Sequence, residues 1–116
     1  MQALIRPLNE LAEFEEISKK RMKAPGMIRV CGCVNSQKSH MMYALSDGCH
    51  YKVIACSSES KAKQVYAEYR FMDAETYLYP AKDLLFYQAD IRSKELIRQR
   101  MEVLQAIVAG GPMTVV

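Results

Sequence analysis

No stretch of this sequence approaches the run of about 18 apolar residues that a membrane-spanning helix needs. Its first ten residues, MQALIRPLNE, lack the continuous apolar segment of a secretory signal, so the expected location is cytoplasmic, away from any membrane. Excess charge is missing too. The 16 Lys and Arg against 13 Asp and Glu leave a net charge of +3 with both signs interspersed, too little to argue for nucleic acid by itself. The two histidines, His40 and His50, have no carboxylate or serine at a spacing that would make either a catalytic base. Repeats and low-complexity segments are absent. What remains is 116 residues, half of them hydrophobic and a quarter charged, which is the composition of one small globular domain with a modest core.

Four cysteines are present, Cys31, Cys33, Cys49 and Cys56. In a reducing compartment they are expected to be free thiols that pack as small hydrophobes. Cys31 and Cys56 are expected in a sheet interior, with Cys33 and Cys49 nearer loop ends. A zinc site from Cys31, Cys33, Cys49 and His50 is weighed against this. Structural zinc uses C-x(2–4)-C pairs on turns, whereas Cys31 and Cys33 straddle the end of a predicted strand. No metal is expected.

The pattern along the chain alternates helix and strand. PLNELAEFEEISKKRMK predicts a helix with Pro7 in its first turn, Leu8, Leu11, Phe14 and Ile17 on one side, acids early and bases late. Pro25-Gly26 stops it. MIRVCG predicts a buried strand, and SQKSHMMYALSDG a helix with Met41, Met42 and Leu45 inward and Gly48 as its stop. YKVIAC predicts a second buried strand. SSESKAKQVYAEYRFM predicts a serine-capped helix with Ala62, Val65, Tyr66 and Tyr69 on one face, and TYLYP a short third strand ended by Pro80. Residues 81–92 show no period, and a loop this long is usually functional or interfacial. SKELIRQRMEVLQAIVAGG then predicts a long helix capped by Ser93, with Ile97, Met101, Leu104 and Val108 buried and Arg98 paired to Glu102. PMTVV predicts a fourth strand. The alternation gives an α/β fold, a small mostly parallel sheet with helices on both faces, in one domain: a leading helix in 1–26 and the β/α core in 27–116.

The loop GCVNSQKS has the outline of a phosphate loop, G-x-x-x-x-G-K-[ST], with Gly32, Lys38 and Ser39 in place and Gln37 where the second glycine belongs. In a working loop, successive backbone N–H groups converge on the phosphates, and a side chain at the glycine position fills that space. From these residues alone, three readings stay open: an ordinary strand-to-helix turn, a remnant, and a working site. No acidic cluster after a buried strand supplies a magnesium ligand, and no second lobe supplies an arginine finger. Tyr66, Tyr69, Tyr77, Tyr79 and Tyr87 with nearby bases suggest base stacking, but their spacing is that of core residues with wet hydroxyls. Arg92, Lys94, Arg98 and Arg100 make a basic patch that Glu95 and Glu102 dilute.

LYPAKDLLFYQADIRSKELIRQRMEVLQAI resembles the N-terminal region of the bacterial transcription-repair coupling factor family, in which a strand ends in Tyr-Pro and leads through an acidic loop to a Ser-…-Gln-Arg-…-Leu helix. Pro80, Asp83, Ser93, Glu95, Gln99, Arg100 and Leu104 fall on that pattern. GCVNSQKSHMMYAL is similar to the family's degenerate phosphate loop, and the likeness runs from about Leu11 to Val116. It implies a P-loop NTPase-like module, like the first domain of the excision-repair protein UvrB but without hydrolysis, so that Gly32, Gln37, Lys38 and Ser39 form a vestigial site. It also implies a parent protein that uses ATP and magnesium in separate motor domains and contacts UvrA, RNA polymerase and double-stranded DNA. For this chain it implies a structural and regulatory module with no catalytic residues and no cofactor. The module's partners are the remaining domains of the parent. The last strand is expected to lack neighbours that the parent supplies, which would favour self-association. The competing readings are a helicase lobe that keeps ATP affinity through Lys38 and Ser39, and a small binder of single-stranded nucleic acid.

Overall fold

The computed structural model describes residues 2–23, 25–81 and 90–116, and these form two compact units, residues 1–47 and 48–116. The expected residue Asp83 and most of the aperiodic segment 81–92 lie outside the described residues.

In the first unit, α1 (Gln2–Ile5) runs into a tight 3-10 turn, Arg6–Glu10, and α2 spans Ala12–Lys23. The single helix expected from Pro7 onward is therefore broken. Leu11 takes an extended conformation while its N–H bonds the Leu8 carbonyl, closing the 3-10 turn before α2 starts. Phe14 supplies the buried contact of α2, while Leu11 is exposed. Glu15–Lys19 and Glu16–Lys20 pair at 2.6 and 2.7 Å across single turns, and acids precede bases as the helix dipole favours. The expected strand MIRVCG does not form: the segment is not part of a sheet, and Met27 is 95% exposed. β-rich composition yields a strand only where a neighbour accepts its ladder bonds.

The helix α3 spans Asn35–Leu45, and Gly48 takes φ +77° beyond its end, the left-handed geometry that suits a helix stop. Its buried residues are Ser39, Tyr43 and Ala44, while Met41, Met42 and Leu45, expected inward, are half-buried. Met41 to Leu45 are five consecutive apolar or small residues, so they carry little directional information.

The second unit is a three-stranded parallel sheet in the order β1–β3–β2, with β1 Tyr51–Val53, β2 Thr76–Tyr77 and β3 Met113–Val115. Lys52 and Thr76 both stand level with Thr114. Between the strands lie α4 (Glu59–Met72) and α5 (Asp90–Ala109). The chain passes over one strand position through α4 and steps back through α5. Right-handed crossovers in opposite directions put those helices on opposite faces. Ser58 caps α4 by accepting the Lys61 N–H, as its sequence predicts. β1 is an edge strand with Tyr51 and Val53 exposed, not a buried one. β3 is the central strand, with both its edges already paired and Met113, Thr114 and Val116 buried. Ser93 lies inside α5, which starts at Asp90, so it is not the cap.

Candidate functional site

Gly32, Gln37, Lys38 and Ser39, the residues of the expected phosphate-loop outline, lie at and just before the start of α3, with no strand before them. Gly32 has φ +85° and turns the chain into the helix. The Gln37 side chain reaches back so that its Oε1 accepts the Val34 N–H at 3.2 Å, one half of a capping box. The first helical bond, Lys38 N–H to the Val34 carbonyl at 3.1 Å, follows directly. A phosphate loop leaves the N–H groups at this point for the anion; here a neutral carboxamide takes one of them. Lys38 is exposed. Ser39 is 2% exposed, so its hydroxyl belongs to the interior of the unit and is withdrawn from a metal on the loop side.

The Tyr-Pro and Gln-Arg elements of the sequence pattern meet in the second unit. Arg100 donates from Nε to the buried Pro80 carbonyl at 3.1 Å, and its guanidinium lies 4.9 Å from the centre of the Tyr79 ring. This clamps the end of β2 to α5 through a charged hydrogen bond and a cation–π contact. Gln99 donates to Glu95 at 3.1 Å. Glu95 also grips Arg98 through both oxygens, at 2.6 and 2.9 Å, and Arg98 pairs with Glu102 as its spacing predicts. The Glu95 carboxyl is held below its usual range, first by the Arg98 hydrogen bond. Of the basic patch, Arg98 and Arg100 are thus engaged within the fold, while Lys94 is exposed.

Leu96, Gln99, Arg100, Val103 and Ala106 share the inward face of α5, with Val103 2% exposed. The expected core stripe points outward instead. Ile97, Met101, Leu104 and Val108 are all about half exposed or more, Val108 at 87%. The two polar motif residues occupy the face that periodicity alone would have assigned to solvent.

At the carboxyl end of the sheet, where parallel α/β folds take their ligands, a cleft of about 300 Å³ is lined by residues that include Ile54, Cys56, Ser58, Glu59, Leu78, Tyr79 and Val116. Its walls hold no cation among the described residues, Ser58 is engaged as a cap, and Glu59 pairs with Lys63 at 2.5 Å. An acid at the helix start and apolar walls oppose an anionic ligand.

Sequence reasoning missed Asp73. Its Oδ2 accepts from Lys52 Nζ at 3.1 Å and from Thr114 Oγ1 at 2.9 Å, and its Oδ1 from the Glu75 N–H at 3.2 Å, joining β1, β3 and the entry to β2. Thr114 is 0% exposed. Burial works against ionisation of Asp73, but the hydrogen bonds from Lys52 and Thr114 outweigh it and hold the carboxyl below its ordinary value. The only sequence signal was a short acid between a helix and a strand, a usual turn former.

Among the described residues the tyrosines are taken up separately: Tyr69 is core, Tyr66 receives Arg70 at 2.5 Å, Tyr77 donates to Glu75 at 3.0 Å and Tyr79 lies beneath Arg100; Tyr87 is outside the described residues. His50 contacts the Gly110 carbonyl at 3.1 Å and the Tyr51 ring edge-on. The four cysteines are free thiols as expected, but Cys31 and Cys56 do not lie in a sheet interior: Cys31 and Cys49 are exposed and Cys33 and Cys56 half-buried. Among the described residues no group of three or more His, Cys, Asp or Glu could hold a metal, and no helix is long and apolar enough to cross a membrane. The chain matches no protein-family model, no curated protein and no solved structure.

Proposed function

We propose that this chain is the N-terminal, UvrB-like module of a transcription-repair coupling factor, a cytoplasmic platform with a remnant nucleotide site and no catalysis of its own. The observation that carries the reading is the Gln37 cap, which takes one of the backbone N–H groups at the helix start and sets a side chain where a phosphate loop keeps a glycine. The skip-and-return parallel sheet and the Tyr79-Pro80–Arg100 clamp support it, because they give the Tyr-Pro and Gln-Arg elements a shared structural purpose. ATP and magnesium then serve the parent's motor domains, and UvrA, RNA polymerase and double-stranded DNA are contacts of the parent. The partners of this module are the other domains of the parent, and the outer face of α5 is the surface it offers them. Left uncovered, that face also favours self-association at high concentration.

The test mixes this chain with a coupling factor lacking its own N-terminal module and follows association by sedimentation. Complex formation with a Kd of about 10 µM or tighter, weakened at least about tenfold by Leu104→Asp, is the expected result. Two folded proteins that sediment independently at 100 µM, a tenfold higher concentration, would refute the reading.

A further inference from the structure

Cys31 and Cys33 flank Gly32 in an exposed loop that belongs to no helix or strand. Two trans peptides separate their Cα atoms by at most about 7 Å, the upper edge of the disulfide range, so a modest bend brings the sulfurs within bonding distance. Gly32 already supplies a bend at φ +85°, a conformation open to glycine. Cys31 is exposed and Cys33 half-buried, the arrangement of an attacking and a resolving thiol.

We propose that Cys31 and Cys33 form a reversible disulfide within this loop, a two-electron modification site for small disulfide oxidants of the glutathione class. The Cys31 thiolate attacks one sulfur of glutathione disulfide, forming a mixed disulfide and releasing one glutathione thiolate. The Cys33 thiolate then attacks the Cys31 sulfur, closing the ring and releasing the second glutathione. The two thiol protons pass to the two glutathiones, so the loop is oxidised by two electrons and the glutathione disulfide is reduced. A ring that spans one residue is strained, and strained disulfides are the readily reduced, regulatory kind. The pair therefore rests as thiols in a reducing compartment and closes under oxidative load. Closure fixes the backbone at Cys33, one residue before the Val34 N–H that Gln37 holds, so the oxidation state is conveyed to the start of α3.

The full folded chain is incubated with glutathione disulfide, quenched in acid, alkylated with N-ethylmaleimide and digested with trypsin. The expected product is the peptide Val30–Lys38 lacking two hydrogens and carrying no alkyl group, restored to two alkylatable thiols by excess reduced glutathione. Cys33→Ser should instead trap glutathione on Cys31 and prolong that adduct about tenfold or more, because the tethered displacement is lost. Cys49→Ser and Cys56→Ser should leave the ring unchanged. Glutathione on both Cys31 and Cys33 at once, both thiols still free when Cys49 or Cys56 has reacted, or a bridge from either to another cysteine or another chain would each overturn the proposal.

Discussion

At Gln37 the carboxamide accepts the N–H of the N-cap residue Val34, the reciprocal half of a capping box, and it does so at the place where a nucleotide-binding loop keeps a glycine. Gln37→Ala should cost about 0.5–1 kcal/mol, read as a lower urea midpoint at unchanged slope. This site was half legible in the sequence. The missing glycine set this loop apart from the phosphate-loop pattern, but a side chain's hydrogen bond back to the residue three before it needs coordinates. Asp73 was not legible at all, because its partners Lys52 and Thr114 come from strands far along the chain and meet only once the sheet exists. Its lowered carboxyl pKa means that its contribution is present above the ordinary carboxylate range and is lost as pH falls through the folded value. Asp73→Ala should therefore destabilise the fold by about 2 kcal/mol at neutral pH, leaving the fully buried Thr114 hydroxyl without its acceptor. The variant should also lose less stability than the wild type between pH 5 and pH 3, roughly the window in which an ordinary carboxylate titrates. Equal acid sensitivity of the two in thermal melts would contradict this.

The elements show where periodicity succeeds and where it misleads. The cap of α4 at Ser58, its inward face and the Arg98–Glu102 pair all follow from local chemistry, and the sequence predicted them correctly. On α5 the apolar stripe was identified but it is not the face that packs. Ile97, Met101, Leu104 and Val108 have helical spacing, but the face that packs is Leu96, Gln99, Arg100, Val103 and Ala106, one residue out of phase. Arg100 is what allows a polar residue on that face, since the Pro80 carbonyl and the Tyr79 ring receive it. Arg100→Ala should cost about 1–2 kcal/mol, and Arg100→Lys should recover only part of that, because an ammonium lacks the planar fork. A lysine variant as stable as the wild type would argue against the clamp. The outward stripe makes the complementary prediction. Leu104→Asp should leave the urea midpoint within about 0.5 kcal/mol of wild type, as befits a surface substitution, while reducing any self-association seen at high concentration.

For the whole molecule, the α/β class and the parallel sheet were legible because alternating helix and strand patterns leave few arrangements. Strand number, order and burial were not. MIRVCG has strand composition and no ladder, and TVV, which seemed an unfinished edge, is the central strand. Such outcomes depend on which backbones meet, a long-range matter that composition does not encode. The loop from Gly32 to Ser39 leads into a capped helix start, and the proposed function requires that it no longer binds a nucleotide phosphate. Titration calorimetry with magnesium-ATP on the wild type and on Gln37→Gly tests it directly. The claim predicts no saturable heat from the wild type, a Kd weaker than about 1 mM, and no hydrolysis by either protein, since removing the cap supplies neither a metal ligand nor an arginine finger. Micromolar binding by the wild type that disappears in Lys38→Ala would contradict it.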